Sequence, residues 1–136
     1  MIFSHNVQAI FLAFVLGAIS LGIMGLVILM LPIGVISFAT VTMARAGTPA
    51  GLFLLGFVLP HGIVEIPAML ISGAAILRVG NCLLAKPEGR SLGQIWLQAL
   101  ADWLIVLLGV VMPLFLVSAI LETWVTPLAA ARVLGW

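Results

Sequence analysis

The first 44 residues of this chain contain no lysine, arginine, aspartate or glutamate. The whole sequence of 136 residues is 7% charged, whereas soluble domains are about one quarter charged. A water-soluble fold cannot hide this much apolar surface, so we predict a chain whose main solvent is lipid. In lipid the backbone must satisfy its own hydrogen bonds, and the absence of alternating ten-residue segments favours helices over a barrel.

The apolar segments predict a single all-α membrane domain over residues 1–136, a polytopic bundle of four to five embedded helices. Because a span needs about 20 apolar residues, we place the embedded pieces near 6–31, 33–46, 50–59, 63–84 and 92–125. The piece at 50–59 is too short to span, which indicates a broken or re-entrant segment at Pro60-His61-Gly62. Residues 91–102 are expected to lie as an amphipathic segment in the interface, and Thr126-Pro127 to end the last span.

The basic residues predict the orientation. A hairpin of 50–59 with 63–84 brings four of them to one side, which is cytoplasmic by the positive-inside rule: Arg45, Arg78, Lys86 and Arg90. We therefore predict an integral protein of the cytoplasmic membrane with the loop 85–91 and the amino terminus inside, and the tail with Arg132 outside. The net charge of +1 gives no nucleic-acid footprint, so the expected partners are lipid and other membrane or envelope proteins.

Small residues repeat at multiples of four positions along the first segment, at Ala9, Ala13, Gly17 and Gly25. Such a stripe lets membrane helices approach closely. It serves either packing within the chain or a dimer face, and we favour packing within the chain. A short chain with a half-length helix nevertheless has little to cover a broken backbone in lipid, so we also predict a homo-oligomer, a dimer.

Three ionisable side chains stand inside the apolar segments: His61, Glu65 and Glu122. They carry the most information about function, because each costs free energy to keep in lipid. His61 and Glu65 are four residues apart and share a helix face. Counted from Arg78 and Asp102, the two carboxylates fall in the outer half of the membrane at heights that differ by about 10 Å.

Three interpretations of these side chains stay open: a structural polar cluster, a metal or proton site, and unrelated positions. A histidine nitrogen with carboxylate oxygens suits Zn²⁺ or Mn²⁺, and we expect no other cofactor. The H-x-x-x-E spacing is less specific than H-E-x-x-H. If these side chains form no functional site, we expect Gly62 to be a helix N-cap with Glu65 in the first turn of that helix. Glu122 would then lie at the membrane interface beside Trp124.

The other polar side chains predict no chemistry. Asp102 is expected to face interfacial water beside Gln98, and Arg78 to extend to the headgroups. Three serines are expected to bond carbonyls of their own helices, at Ser20, Ser72 and Ser118. No base stands at triad spacing from them, which argues against a serine nucleophile.

The run Leu59-Pro60-His61-Gly62-Ile63-Val64-Glu65-Ile66-Pro67-Ala68 resembles the signature of the stage II sporulation protein M family. Residues 72–80 and 119–127 resemble further motifs of that family, as does Asn6 at the head of the first span. The resemblance marks His61, Gly62, Glu65 and Glu122 as motif positions. The chain departs from the family pattern at Pro32-Ile33-Gly34, where Asn-Gly is common, and at Ile76, where a second glycine is common.

The resemblance implies a membrane anchor. In endospore-forming bacteria the namesake anchors a complex of peptidoglycan-degrading enzymes and is not itself the hydrolase. The leading hypothesis is therefore a non-enzymatic scaffold that recruits partner proteins. Two alternatives remain: an intramembrane metal-dependent hydrolase with His61, Glu65 and Glu122 around one ion, and a small oligomeric transporter or proton-coupled subunit, suggested by the broken helix.

Overall fold

The computed structural model describes residues 2–84 and 89–135, and within these ranges it contains helices, turns and no strand. The helical segments in chain order are α1 (Ile2–Ile19), α2 (Ile23–Arg45), α3 (Ala50–Phe53), a π-helical turn (Leu54–Val58), α4 (Leu59–Asn81), a 3₁₀ turn (Cys82–Leu84), α5 (Leu92–Val106), a second π turn (Leu107–Val111), α6 (Met112–Ile120), a third π turn (Leu121–Val125) and α7 (Thr126–Leu134). Consecutive segments merge into longer helices. In the described residues, four helices are long and apolar enough to cross a membrane: α1, α2, the third span Ala50–Asn81 and the fourth span Leu92–Leu134. The prediction of an all-α membrane bundle is confirmed.

The first two spans are divided at residues 20–22 and not at Pro32. Leu21 has φ 54° and Gly22 has φ 92°, so this turn occupies left-handed backbone that glycine adopts readily. The predicted boundaries 6–31 and 33–46 were therefore wrong. Pro32 lies inside α2 without ending it, since membrane helices tolerate proline when the freed backbone groups find other partners.

The third span is one continuous helix of 32 residues, about 48 Å long at helical rise. The predicted break at Pro60-His61-Gly62 and the separate pieces 50–59 and 63–84 were wrong. Arg45 comes just before the start of this helix and Arg78 lies near its end, so the two cannot share one side of the membrane as the predicted hairpin required. Lys86 lies outside the described residues.

The start of α1 and the end of α7 lie at one end of the bundle. The carboxyl end of α4 abuts the α1–α2 turn, where a Cβ on Gly80 would meet the backbone of Leu21 and Gly22. At the other end, α7 packs on the first π turn, with Ala130 Cα 3.2 Å from where a Gly56 Cβ would stand. The start of α1 is thus opposite the residues around the 85–91 loop. The prediction that the amino terminus and this loop share a side was wrong.

The fourth span is also uninterrupted. Its first turn is closed by a capping box between Ser91 and Gln94. From there α5 runs directly into the rest of the span, so residues 91–102 are not a separate interfacial segment. The helix also passes through Thr126-Pro127 to Leu134, where the last span was predicted to have ended.

Each π turn precedes a proline. Proline has no N–H, and its ring clashes with the carbonyl four residues earlier. A π turn widens the helix there and shifts the backbone bonds, so that the N–H just after each π turn bonds the carbonyl five residues back. Such adjustments are a known way for membrane helices to accommodate proline. The prolines stand two residues beyond each π turn, at Pro60, Pro113 and Pro127.

The centre of the bundle is tightly packed around Ile76 of α4, which is fully buried. The predicted small-residue stripe lies here: Ala13, Gly17 and Gly25 are buried, and Ala9 is half-buried. A Cβ on Gly25 would stand 2.7 Å from the Ala13 carbonyl oxygen, so these residues let α1 and α2 approach closely. The stripe is therefore occupied inside the molecule.

Candidate functional site

The third span places His61 and Glu65 one helical turn apart in α4. The helix is regular through both residues, because the π turn at Leu54–Val58 absorbs the effect of Pro60 before His61 is reached. Gly62 is buried and its nearest side-chain neighbour would be Val58 Cγ1, at an ordinary contact distance of 3.5 Å from an added Cβ. Gly62 is not a helix N-cap and Glu65 is not in a first turn, since the helix began at Ala50.

The fourth span brings Glu122 to the same place. One potential ligand atom from each of His61, Glu65 and Glu122 lies within 4.8 Å of the others, and all three side chains are half-buried. We call these three residues the polar cluster. The structure thus unites the three ionisable side chains that the sequence singled out, although they lie on two different helices.

The expected height difference between the carboxylates is absorbed by the fourth span. Two contacts join α4 to the fourth span: the Arg78–Asp102 ion pair and the contact of His61 with Thr126. They are 17 residues apart along α4 and 24 residues apart along the fourth span. Each π turn packs extra residues into the same rise, and two of them lie within this stretch of the fourth span. The fourth span thus uses seven more residues than α4 between the same two contacts, so residues at different counted heights become neighbours.

Two hydroxyl side chains support the polar cluster from the fourth span. Thr126 Oγ1 is 3.1 Å from His61 Nδ1, and Ser118 Oγ donates a hydrogen bond of 3.1 Å to Glu65 Oε2. Both residues are almost completely buried. The prediction that Ser118 bonds its own helix was wrong. A sequence signal for these partners existed, because Ser118, Glu122 and Thr126 are spaced by four and share one helix face.

A second histidine acts on the polar cluster from α1. His5 lies close enough to Glu122 to interact with it electrostatically, as do His61 and Glu65. Beside His5 in the sequence, Asn6 buries its Nδ2 atom without a hydrogen-bond partner. Among the described residues no lysine or arginine forms an ion pair with Glu65 or Glu122. His61 is therefore the basic side chain that both glutamates approach.

The remaining predicted polar residues lie away from the polar cluster. Asp102 forms an ion pair with Arg78 at 2.8 Å, a contact that the sequence analysis did not predict. Gln98 accepts a hydrogen bond from Arg90 Nη1. Ser20 bonds the Leu16 carbonyl of its own helix, as predicted, whereas Ser72 is buried and its Oγ has no hydrogen-bond partner.

Fold and cluster together define an integral membrane protein of four spans with an ionisable centre between its third and fourth spans. The sequence model of one family, stage II sporulation protein M, matches residues 1–127, and the chain belongs to that family. No curated protein and no solved structure matches the chain.

Proposed function

We propose that this protein is a non-enzymatic scaffold of the cytoplasmic membrane that recruits partner proteins through the exposed face of α2. Membership of the stage II sporulation protein M family supports an anchoring role. The observation that carries the proposal is the surface of α2, of which only 11% of the most apolar stretch is buried inside the molecule.

The exposed face of α2 has the spacing of a helix-pairing seam. Its central residues alternate by four and three positions and are all exposed: Val27, Leu31, Gly34, Phe38 and Val41. This is the repeat by which left-handed helix pairs interlock, a common geometry between membrane helices. Gly34 has no atom of another segment within 4 Å of where its Cβ would be. A glycine here weakens the helix without serving the packing of this chain, and it leaves room for a second helix to approach.

The same face is the surface we propose for a homodimer. The small-residue stripe of α1 and α2 is filled within the chain, so it does not provide a dimer interface. The third span is continuous through residues 50–59. The argument that a second copy must cover a broken backbone in lipid therefore no longer applies. We propose an α2–α2 pair across Gly34 as the dimer interface, and it uses the seam that a partner helix would use.

For the orientation, we propose that the end with the 85–91 loop is cytoplasmic. Arg78 and Arg90 lie toward that end, with Lys86 between them in the sequence, against Arg45 and Arg132 at the other end. The positive-inside rule favours this assignment. The start of α1, the end of α7 and the loop at 46–49 then face outward.

The test replaces Gly34 with leucine and compares partner retention with that of a matched control. Gly109 is also exposed and has no neighbour within 4 Å, so Gly109→Leu makes the same chemical change on the fourth span. Wild type and both variants are purified from native membranes in mild detergent, and co-purified membrane proteins and the dimer fraction are quantified by mass spectrometry. We expect Gly34→Leu to lose the co-purified membrane proteins and the dimer, and Gly109→Leu to keep them. The proposal would be contradicted if Gly34→Leu kept its co-purified proteins and its dimer. It would also be contradicted if the wild type were recovered only as a monomer without co-purified proteins.

A metal-dependent hydrolase is the second candidate, because His61, Glu65 and Glu122 converge in the structure. In that function one ion would activate water for attack on a substrate inside the membrane. The candidate requires stoichiometric metal, so metal-free protein that retains its function in cells would eliminate it. The transporter hypothesis has lost its basis, since the helix at Pro60-His61-Gly62 is continuous.

A further inference from the structure

We infer that the polar cluster binds one Zn²⁺ ion, with His61, Glu65 and Glu122 as protein ligands and Thr126 as the residue that positions His61. The inference does not rest on the scaffold function, and it is a precondition of the hydrolase candidate. It goes beyond both in choosing Zn²⁺ over Mn²⁺ and in assigning Thr126 as the residue that positions His61.

Charge is the first argument. Two glutamates lie with carboxylate oxygens within 4.8 Å of each other and of a histidine nitrogen, inside spans of a membrane bundle. Among the described residues no lysine or arginine is ion-paired to either of them, and the basic side chain close to both is His61. A buried charge whose partner is missing is strongly destabilising. One divalent cation places two positive charges between the carboxylates, whereas His61 supplies at most one.

Distance is the second argument. Zinc binds histidine nitrogen at about 2.0–2.1 Å and carboxylate oxygen at about 2.0–2.2 Å, which places tetrahedral ligands about 3.3 Å apart. The three ligand atoms already lie within 4.8 Å of one another. Closing the remaining gap needs movements of about 1.5 Å, within reach of side-chain rotation. Three protein ligands also leave the fourth position open, as in catalytic zinc sites.

Ligand orientation is the third argument. Thr126 Oγ1 contacts Nδ1 of His61, so Nε2 is the nitrogen available to a metal. A metal-ligating histidine usually donates its other ring N–H to a neighbouring oxygen, and this fixes the tautomer and the ring plane. Ser118 Oγ donates a hydrogen bond to Oε2 of Glu65, which orients that carboxylate and leaves its Oε1 available. Both hydroxyls are almost completely buried and so keep their places.

The test measures metal content and metal-dependent stability of the full chain. The protein is purified in lipid nanodiscs through a tag without histidine, stripped with chelator, dialysed and titrated with Zn²⁺ or Mn²⁺. We expect about one Zn²⁺ per chain and a rise in melting temperature that saturates with Zn²⁺, as for any ligand that binds the folded state alone. Glu65→Gln and Glu122→Gln should each weaken binding at least tenfold, and Thr126→Val by about 10- to 100-fold.

Asp102→Asn is the matched control, since it removes a carboxylate paired with Arg78 outside the polar cluster and should leave zinc binding intact. Size-exclusion profiles and circular dichroism establish that each variant is folded; if a glutamate variant is not, Thr126→Val and Ser118→Ala provide the comparison. A stripped wild type that takes up neither metal and keeps its melting temperature would overturn the inference. So would uptake of Mn²⁺ alone, or zinc binding unchanged in both glutamate variants. Retention of partners in the Gly34→Leu experiment is measured separately, so failure of either proposal is distinguishable from failure of the other.

Discussion

Replacing Gly80 with alanine should destabilise the protein far more than the same change at Gly73 or Gly34. Gly80 lies near the end of α4, where its Cα faces the α1–α2 turn. An added Cβ would stand 2.9 Å from Leu21 Cα and closer still to the Leu21 carbonyl carbon and the Gly22 nitrogen. These are backbone atoms of a turn already held in left-handed conformations, so they cannot swing aside as a side-chain tip can.

The expected magnitude follows from the nature of the obstacle. Inserting one methyl group into a packed interior typically costs about 1–3 kcal/mol, and a rigid neighbour puts Gly80→Ala near about 3 kcal/mol. At Gly73 the nearest atom is Leu26 Cδ2, 3.2 Å away on a flexible side chain, so Gly73→Ala should cost about 1 kcal/mol. Gly34 faces open space, so alanine there should leave stability unchanged or raise it by up to about 1 kcal/mol through helix propensity.

The free energy of unfolding can be measured by titrating each variant with SDS in mixed micelles. Trp103 is a suitable reporter, because it is buried and its ring stacks on Phe14 with centroids 3.7 Å apart. The reasoning predicts the order Gly80→Ala, then Gly73→Ala, then Gly34→Ala, from least to most stable. Equal stability of the Gly80 and Gly34 variants would show that the α1–α2 turn does not lie against α4, and the topology derived from that contact would fall with it.

Three further predictions test other parts of the structure. In a cysteine-free background, cysteines introduced at Thr48 and Arg90 should react with a membrane-impermeant maleimide from opposite sides of the membrane, because the 32-residue third span separates them. Labelling of both from the same side would instead support the predicted hairpin of 50–59 with 63–84. Glu65→Gln and Glu122→Gln should each reduce stability in detergent by several kcal/mol, because each deprives His61 and the ion proposed there of one carboxylate partner. The double variant should lose much less than the sum, whereas additive losses would mean that the carboxylates act independently. Ser91→Ala should lower the free energy of unfolding by about 1 kcal/mol through loss of the N-cap, and SDS titration showing no change would argue against the capping box.

The class of protein was predictable from composition. Lipid solvates apolar side chains and leaves backbone groups no partners, so a chain without charges over 44 residues has helices as its remaining choice. The same logic identified His61, Glu65 and Glu122, because an ionisable group in lipid is expensive and stands out in the sequence. Their proximity agrees with the hypothesis that they form one cluster.

The helix boundaries could not be read from the sequence with the usual signals. Proline and glycine end helices in water, where freed backbone groups find solvent, and we placed breaks at Pro32, Pro60-His61-Gly62 and Thr126-Pro127 for that reason. In this bundle π turns and neighbouring helices satisfy the backbone instead, so the helices continue. The real turn, at Leu21 and Gly22, lies within an apolar run and gave no stronger signal than the other glycines.

Tertiary structure alone decided the depth at which the residues meet and the side on which each loop lies. Counting residues left about 10 Å between the carboxylates, because counting assumes a uniform rise, whereas the fourth span contains two π turns in this stretch and α4 contains none. The third span crosses the bundle without the predicted break, so the chain reverses direction one time fewer than predicted. The start of α1 and the 85–91 loop therefore lie on opposite sides, where the prediction had them on the same side. The sequence identified the ionisable side chains that need polar partners in lipid, because such groups are costly there. Three-dimensional packing decided which hydroxyls became partners, Thr126 for His61 and Ser118 for Glu65.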